Sequence, residues 1–247
     1  MMDGYINDEG LNQLKFLYEI GNLKHLKRAG WVIQGRDIEN PETVSGHMYR
    51  MGIIGMMLTE DYPDDKGNLV GFDRGKVVQM ALVHDMAECI VGDITPFDGI
   101  KEEEKHRLER EAMDYLTGLL KPNGNNFTEL YEEYEARVTI ESKIVKELDR
   151  FDVMVQGFEY EKKEWEEKKK PAKFQEFFDN AIGNIKHPQL VRMMEALDQQ
   201  RTTYWMQVNK ELEEIKDIKD MDHHVQLKKP KLDEMQCALS NGEIKTN

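Results

Sequence analysis

Two stretches of this chain, residues 44–58 and 77–91, are apolar nearly all the way round a helical wheel, and each carries one histidine, His47 and His84. A helix with no polar face belongs in the middle of a domain, wrapped by helices that have one. Amphipathic segments of that kind follow at about 101–120, 127–138 and 140–163, separated by Pro122-Asn123-Gly124 and a break near Val138. Another precedes them at 11–27, where Leu11, Leu14, Leu17, Tyr18 and Leu26 fall near helical spacing, although Gly21 weakens its middle. Residues 174–185 and 190–215 make two more, joined by a turn at His187-Pro188. No period-two alternation is long enough for a sheet, so the expected fold is an all-α helical bundle. Asp73 is placed to cap the second buried helix and Gly92-Asp93 to end it.

A chain of 247 residues can hold one domain and a tail. The domain is expected over 1–215. Over 216–247 Lys, Asp and single apolar residues mix without period, and Pro230 and Gly242 interrupt, which predicts a disordered tail.

The net charge of -14 argues against a general nucleic-acid binder, because affinity for a phosphate backbone rests on clustered Lys and Arg. It argues equally against anionic membrane surfaces. A small phosphate substrate stays compatible, since one divalent cation and a few basic side chains reverse the potential inside a pocket. The two cysteines, Cys89 and Cys237, lie far apart and predict no disulfide framework. The start, Met1-Met2-Asp3-Gly4-Tyr5, has no signal-like region, and no apolar run approaches the roughly 20 residues of a membrane span. An intracellular protein of the cytoplasm, or else the nucleus, is expected.

The segment Ala81-Leu82-Val83-His84-Asp85-Met86-Ala87-Glu88 sets a His, an Asp and a Glu inside an apolar helix. Buried carboxylates are costly unless they pair, hydrogen-bond or hold a metal. The plain alternative is a satisfied core histidine with Asp85 as its local partner. Against it, His47 occupies the other apolar helix, and Asp149 interrupts the apolar positions Ile144, Val145, Leu148, Phe151 and Val155 of a third. Three central helices thus offer nitrogen and oxygen ligands that suit Mn, Co, Fe, Mg or Zn. His106, in the charged run 102–107, reads as a surface residue, and His223-His224 falls in the tail. With no further internal histidine, one metal ion is expected rather than two. The methionines Met48, Met51, Met56 and Met57 read as packing.

A His, then a His-Asp doublet, then a distant Asp, all on helices, resembles the HD-domain superfamily. Pro41-Glu42-Thr43-Val44-Ser45-Gly46-His47-Met48-Tyr49-Arg50, His84-Asp85-Met86-Ala87-Glu88 with Gly92-Asp93-Ile94-Thr95-Pro96, and Lys146-Glu147-Leu148-Asp149 are similar to its 5'-deoxynucleotidase branch. The likeness runs from about Leu14 to Trp205. It implies His47, His84, Asp85 and Asp149 as ligands of one divalent metal, and Glu88 as the group that positions or deprotonates the attacking water. It implies Arg28, Trp31 and Asp93 as nucleotide contacts, with Trp31 near C2' of a deoxyribose, and a homodimer acting on a nucleoside monophosphate. Without the resemblance, Trp31 reads as an anchor of its loop on the core, Asp93 as a turn residue and Arg28 as a solvated helix-end cation.

The sequence departs from the branch in three places. The residue before the first His is often acidic there and is Gly46 here, so the contact that orients His47 is missing or supplied elsewhere. The segment between Trp31 and His47 is about two residues longer, and Arg28 is not adjacent to Trp31. Triphosphohydrolysis, phosphodiester cleavage and a non-catalytic metal-stabilised scaffold are the alternatives to monophosphate hydrolysis.

Overall fold

A computed structural model describes residues 8–32 and 38–216 in full and 217–240 as helical backbone. The helices run α1 (Asp8–Gly21), α2 (Ala29–Val32), α3 (Val44–Met57), α4 (Arg74–Ala81), α5 (Glu88–Val91), α6 (Glu102–Gly118), α7 (Asn125–Ala136), α8 (Ile140–Lys168), α9 (Gln175–Ala181) and α10 (Pro188–Ser240). The chain divides into two compact units between Glu195 and Ala196, and everything that concerns the site lies in the first.

The starts of the central helices are set by side-chain caps. Thr43 accepts from the Gly46 N–H at the head of α3, Asp73 from Lys76 N–H at α4, and Thr139 from Ser142 N–H at α8. Each satisfies a backbone donor that has no partner inside its helix and contributes about 1 kcal/mol. The helices α3, α4 and α8 pack on one another and bury Val44, Met51, Leu58, Val77, Met80, Ile144 and Leu148. A fully buried Leu or Met contributes about 1.5–3 kcal/mol, so this three-helix contact is the scaffold of the unit. Gly55 permits the close approach of α3 to α4, since a Cβ there would lie 3.3 Å from Val77 Cγ1.

The bundle is all-α apart from one antiparallel pair, β1 (Tyr62–Pro63) with β2 (Leu69–Val70). Its strands are too short to show alternation. The turn between them is built on Asp64, whose Oδ1 accepts from the N–H groups of Lys66 and Asn68. The first helix stops at Gly21 and gives way to a 3-10 turn, Asn22–Lys24, instead of running on to 27. Gly21 therefore marks an end rather than a weak middle.

The expected helix over 77–91 is two helices, α4 and α5, with turns over 82–87 between them. The last helix continues in backbone beyond 215 to Ser240. Side chains of 217–240 and residues 241–247 lie outside the described residues, and with them the expectation of a disordered tail. No helix among the described residues is long and apolar enough to cross a membrane.

Candidate metal centre

The break between α4 and α5 is what presents the His-Asp doublet. Through it the backbone bonds tighten to three-residue spacing, Met86 N–H to Val83 O at 2.9 Å, Glu88 N–H to Asp85 O at 3.1 Å and Cys89 N–H to Met86 O at 3.2 Å. The Ala81 carbonyl instead accepts from His84 Nδ1 at 2.9 Å. A carbonyl only accepts, so Nδ1 carries the proton and Nε2 keeps its lone pair. His47, near the start of α3, is arranged in the same sense. Its Nδ1 donates to Asp152 Oδ2 at 2.6 Å, and its Nε2 is directed inward.

Four side chains meet where those nitrogens point. His47 Nε2 lies 3.3 Å from Asp149 Oδ1 and 3.9 Å from Asp85 Oδ2, and His84 Nε2 lies 3.2 Å from Asp85 Oδ2. These distances allow ion pairing without aligned hydrogen bonds, and both Nε2 atoms are buried with no hydrogen-bond partner. Ligand atoms of His47, His84 and Asp149 all fall within 4.8 Å of one another. Two buried lone-pair nitrogens facing two carboxylates form a donor set that fits a divalent cation. Without one, the site would leave buried polar atoms unmatched.

Positive charge surrounds the carboxylates. Arg28 Nη1 donates to Asp85 Oδ2 at 2.9 Å and its Nη2 lies 3.5 Å from Asp149 Oδ1, while Lys146 Nζ donates to Asp149 Oδ2 at 2.7 Å. Burial alone would raise the Asp149 pKa. The charges of Lys146, His47 and Arg28 outweigh it and hold the group well below the usual carboxylate range. Burial opposes ionisation of Asp85 too, but His84 and Arg28 keep its pKa low. Glu88 goes the other way, raised well above its ordinary value by burial first and then by Asp85 and Asp93. Its Oε2 is buried and has no hydrogen-bond partner.

Burial, and next the Arg28 charge, pull the His47 pKa down, yet the carboxylates of Asp149 and Asp152 push it up to about 9 when no cation is bound, a proton on Nε2 then taking the place the cation would hold. A histidine raised from 6.5 to about 9 stabilises the metal-free fold fully below pH 6.5 and loses that contribution as pH rises through 9. The loss is on the order of 3 kcal/mol for a group buried this completely. Denaturant unfolding with a chelator present should show stability falling over this interval. A flat or rising profile would contradict the charge assignment.

A cavity of about 150 Å³ opens beside the four residues, and Arg28, Glu88 and Asp93 line it. Asp93 accepts from the Ala29 N–H at 2.8 Å, which fixes the backbone just after Arg28. Trp31 does not line the cavity among the described residues. Its ring is 2% exposed, packed at 4.7–5.7 Å between centroids against Tyr160, Phe174 and Phe177, and its Nε1 donates to Glu42 Oε2. Of the two readings open for Trp31, the geometry is that of the loop anchor.

His106 lies at the surface as expected, its side chain 42% exposed, and with Lys105 and Glu109 it also lines the same cavity. The pKa of Glu109 is pushed up to about 7, mainly by burial, against the pull of Lys105. Sequence reasoning missed Lys146 and Asp152. Both had a signal, since they are charged residues at three-residue spacing from Asp149 on a helix whose neighbouring positions are apolar.

A family model described as an HD domain matches residues 20–191. The chain is 42% identical to 5'-deoxynucleotidase HDDC2 of Xenopus laevis over 201 residues, 81% of this chain and 92% of that protein. Against 5'-deoxynucleotidase HDDC2 of Homo sapiens it is 42% identical over 191 residues, 77% of this chain and 86% of the relative. Among solved structures it is similar to a predicted metal-dependent phosphohydrolase from Magnetospirillum magnetotacticum MS-1, with TM-score 0.57 and 26% identity. That match covers 82% of this chain and 97% of the other.

Proposed function

Because the chain belongs to the HD-domain family, we propose that it is a metal-dependent 5'-deoxynucleotidase, hydrolysing deoxyribonucleoside 5'-monophosphates to the nucleoside and orthophosphate. The observation that carries this reading is the pair of buried Nε2 atoms facing the carboxylates of Asp85 and Asp149, next to a cavity that Glu88 lines. The names of its relatives supply the substrate class.

His47, His84, Asp85 and Asp149 are the residues that would hold one divalent cation. Bound there, such an ion supplies neutralisation of phosphoryl charge and a lower pKa for water. The chain's own side chains do the rest. Glu88, its carboxyl shielded from solvent and its proton affinity raised, takes a proton from the attacking water. Arg28 has more N–H donors than Asp85 and Asp149 use, and those that remain serve the phosphoryl oxygens. Asp93 keeps Arg28 in place through the Ala29 N–H. Water adds OH to phosphorus, the bond from phosphorus to the 5'-oxygen breaks, and that oxygen gains the proton.

Trp31 acts at a distance in this reading, as the anchor of the segment that carries Arg28, so selectivity against a 2'-hydroxyl is assigned to the cavity rather than to its ring. The metal's identity among Mn, Co, Mg, Fe and Zn, the homodimer and an intracellular location belong to the same proposal. For the dimer the surface offered is an apolar groove of about 420 Å³ between α1 and α3, lined by Leu17, Tyr49 and Leu82, each at least 44% exposed.

Product analysis with deoxy- and ribonucleoside mono- and triphosphates, each with Mn, Co, Mg or Zn, tests the activity. Orthophosphate from deoxynucleoside monophosphates is expected. Tripolyphosphate from triphosphates would replace this reading with triphosphohydrolysis, and no turnover with any metal would leave a scaffold.

A further inference from the structure

Asp152 is 0% exposed in the middle of α8, and the reaction above gives it no task. One of its oxygens, Oδ2, accepts from His47 Nδ1 at 2.6 Å. The other, Oδ1, accepts from Arg50 Nε. His47 and Arg50 are three residues apart on α3 and so share the face turned to α8. Arg50 is itself held, its Nη2 donating to Gln156 Oε1 at 2.8 Å and its Nη1 to Glu159 Oε2 at 2.9 Å. Glu42 Oε1 lies 3.5 Å from the same guanidinium.

We propose that Asp152, locked by Arg50, is the positioning residue that decides which nitrogen of His47 faces the metal centre. The inference rests on the proposed metal centre and adds a residue to it. A carboxylate accepts only, so it forces the proton onto Nδ1 and leaves the Nε2 lone pair turned to Asp85 and Asp149. Arg50 donates only, so it demands that Oδ1 remain an acceptor. The two neighbours together allow one arrangement. His84 reaches the same state through a neutral carbonyl, that of Ala81, so the two histidines are oriented by different means. Asp152 also fills the place left by Gly46, where an acidic neighbour of the first histidine is absent.

The lock makes an asparagine unusually damaging. In Asp152→Asn, Arg50 would hold the amide oxygen toward itself and turn the NH₂ group toward His47 Nδ1. The imidazole must then accept at Nδ1 and carry its proton on Nε2, where a cation would bind. If Asp152 and Arg50 merely clamp α3 to α8, the asparagine costs stability but does not dictate a tautomer.

The test is Mn²⁺ affinity by calorimetry on the full chain, with thermal unfolding in chelator as a check on folding. Asp152→Asn is expected to bind about 10–100-fold more weakly than wild type. Adding Arg50→Met frees the amide to turn its oxygen to His47, so the double variant should bind more tightly than Asp152→Asn alone. A double variant no tighter than the single one would overturn the proposal. An independent readout needs no variant. In the Zn²⁺-loaded wild-type chain, ¹H–¹⁵N spectra should show His47 protonated at Nδ1 with a strongly downfield proton, and an unprotonated Nδ1 would overturn it as well. Wild type that binds no cation would bring down the metal centre itself. Wild type and Asp152→Asn binding equally would bring down this inference alone.

Discussion

Glu88→Gln is expected to keep the cation and lose turnover, with kcat falling by about 10²–10⁴-fold, the usual range for removing a positioned proton acceptor. That corresponds to roughly 3–5 kcal/mol of barrier. The size follows from the position of Glu88. Its Oε2 is buried and unpartnered, it lines the cavity, and among the described residues it makes no ion pair that the substitution would break. An amide of the same shape fills the same space while removing the proton acceptor. Stability should therefore change by no more than about 1 kcal/mol. Steady-state kinetics with a deoxynucleoside monophosphate, alongside Mn²⁺ titration, separate the possibilities. A kcat within a few-fold of wild type would remove Glu88 from the mechanism.

His84→Ala should fail for the opposite reason. It deletes one of the inward-facing nitrogens and leaves the Ala81 carbonyl without the Nδ1 donor. Loss of a ligand exceeds the 10–100-fold cost of disturbing the residues behind one, so Mn²⁺ affinity should drop by more than about a hundredfold. The freed carbonyl and vacated ring volume add about 1–3 kcal/mol of destabilisation. Activity of this variant should partly return as Mn²⁺ is raised, whereas that of Glu88→Gln should not. If His84→Ala bound Mn²⁺ as wild type does, His84 would be a core histidine and nothing more.

The metal-type residues could be read from sequence because they violate a simple rule. His47, His84 and Asp149 are polar groups set among positions otherwise taken by apolar side chains, and a burial rule makes such exceptions conspicuous. The three central helices were visible for the same reason. What could not be read was the break at 82–87, since no Gly or Pro marks it. The bond from His84 Nδ1 to the Ala81 carbonyl, a choice made by a side chain in competition with the helix ladder, accompanies it. The partners Trp31 packs against, Tyr160 and Phe174, could not be read because they are more than a hundred residues away. Lys105 and His106 looked solvated because their immediate neighbours are charged, while the surface they line comes together only in the fold.

The central claim is that His47, His84, Asp85 and Asp149 share one divalent cation. Anomalous scattering from crystals of the full chain grown with Mn²⁺ tests it most directly. The strongest peak should lie within bonding distance of His47 Nε2, His84 Nε2 and a carboxylate oxygen of each aspartate. A strongest peak elsewhere, with both Nε2 atoms free of metal, would contradict the account.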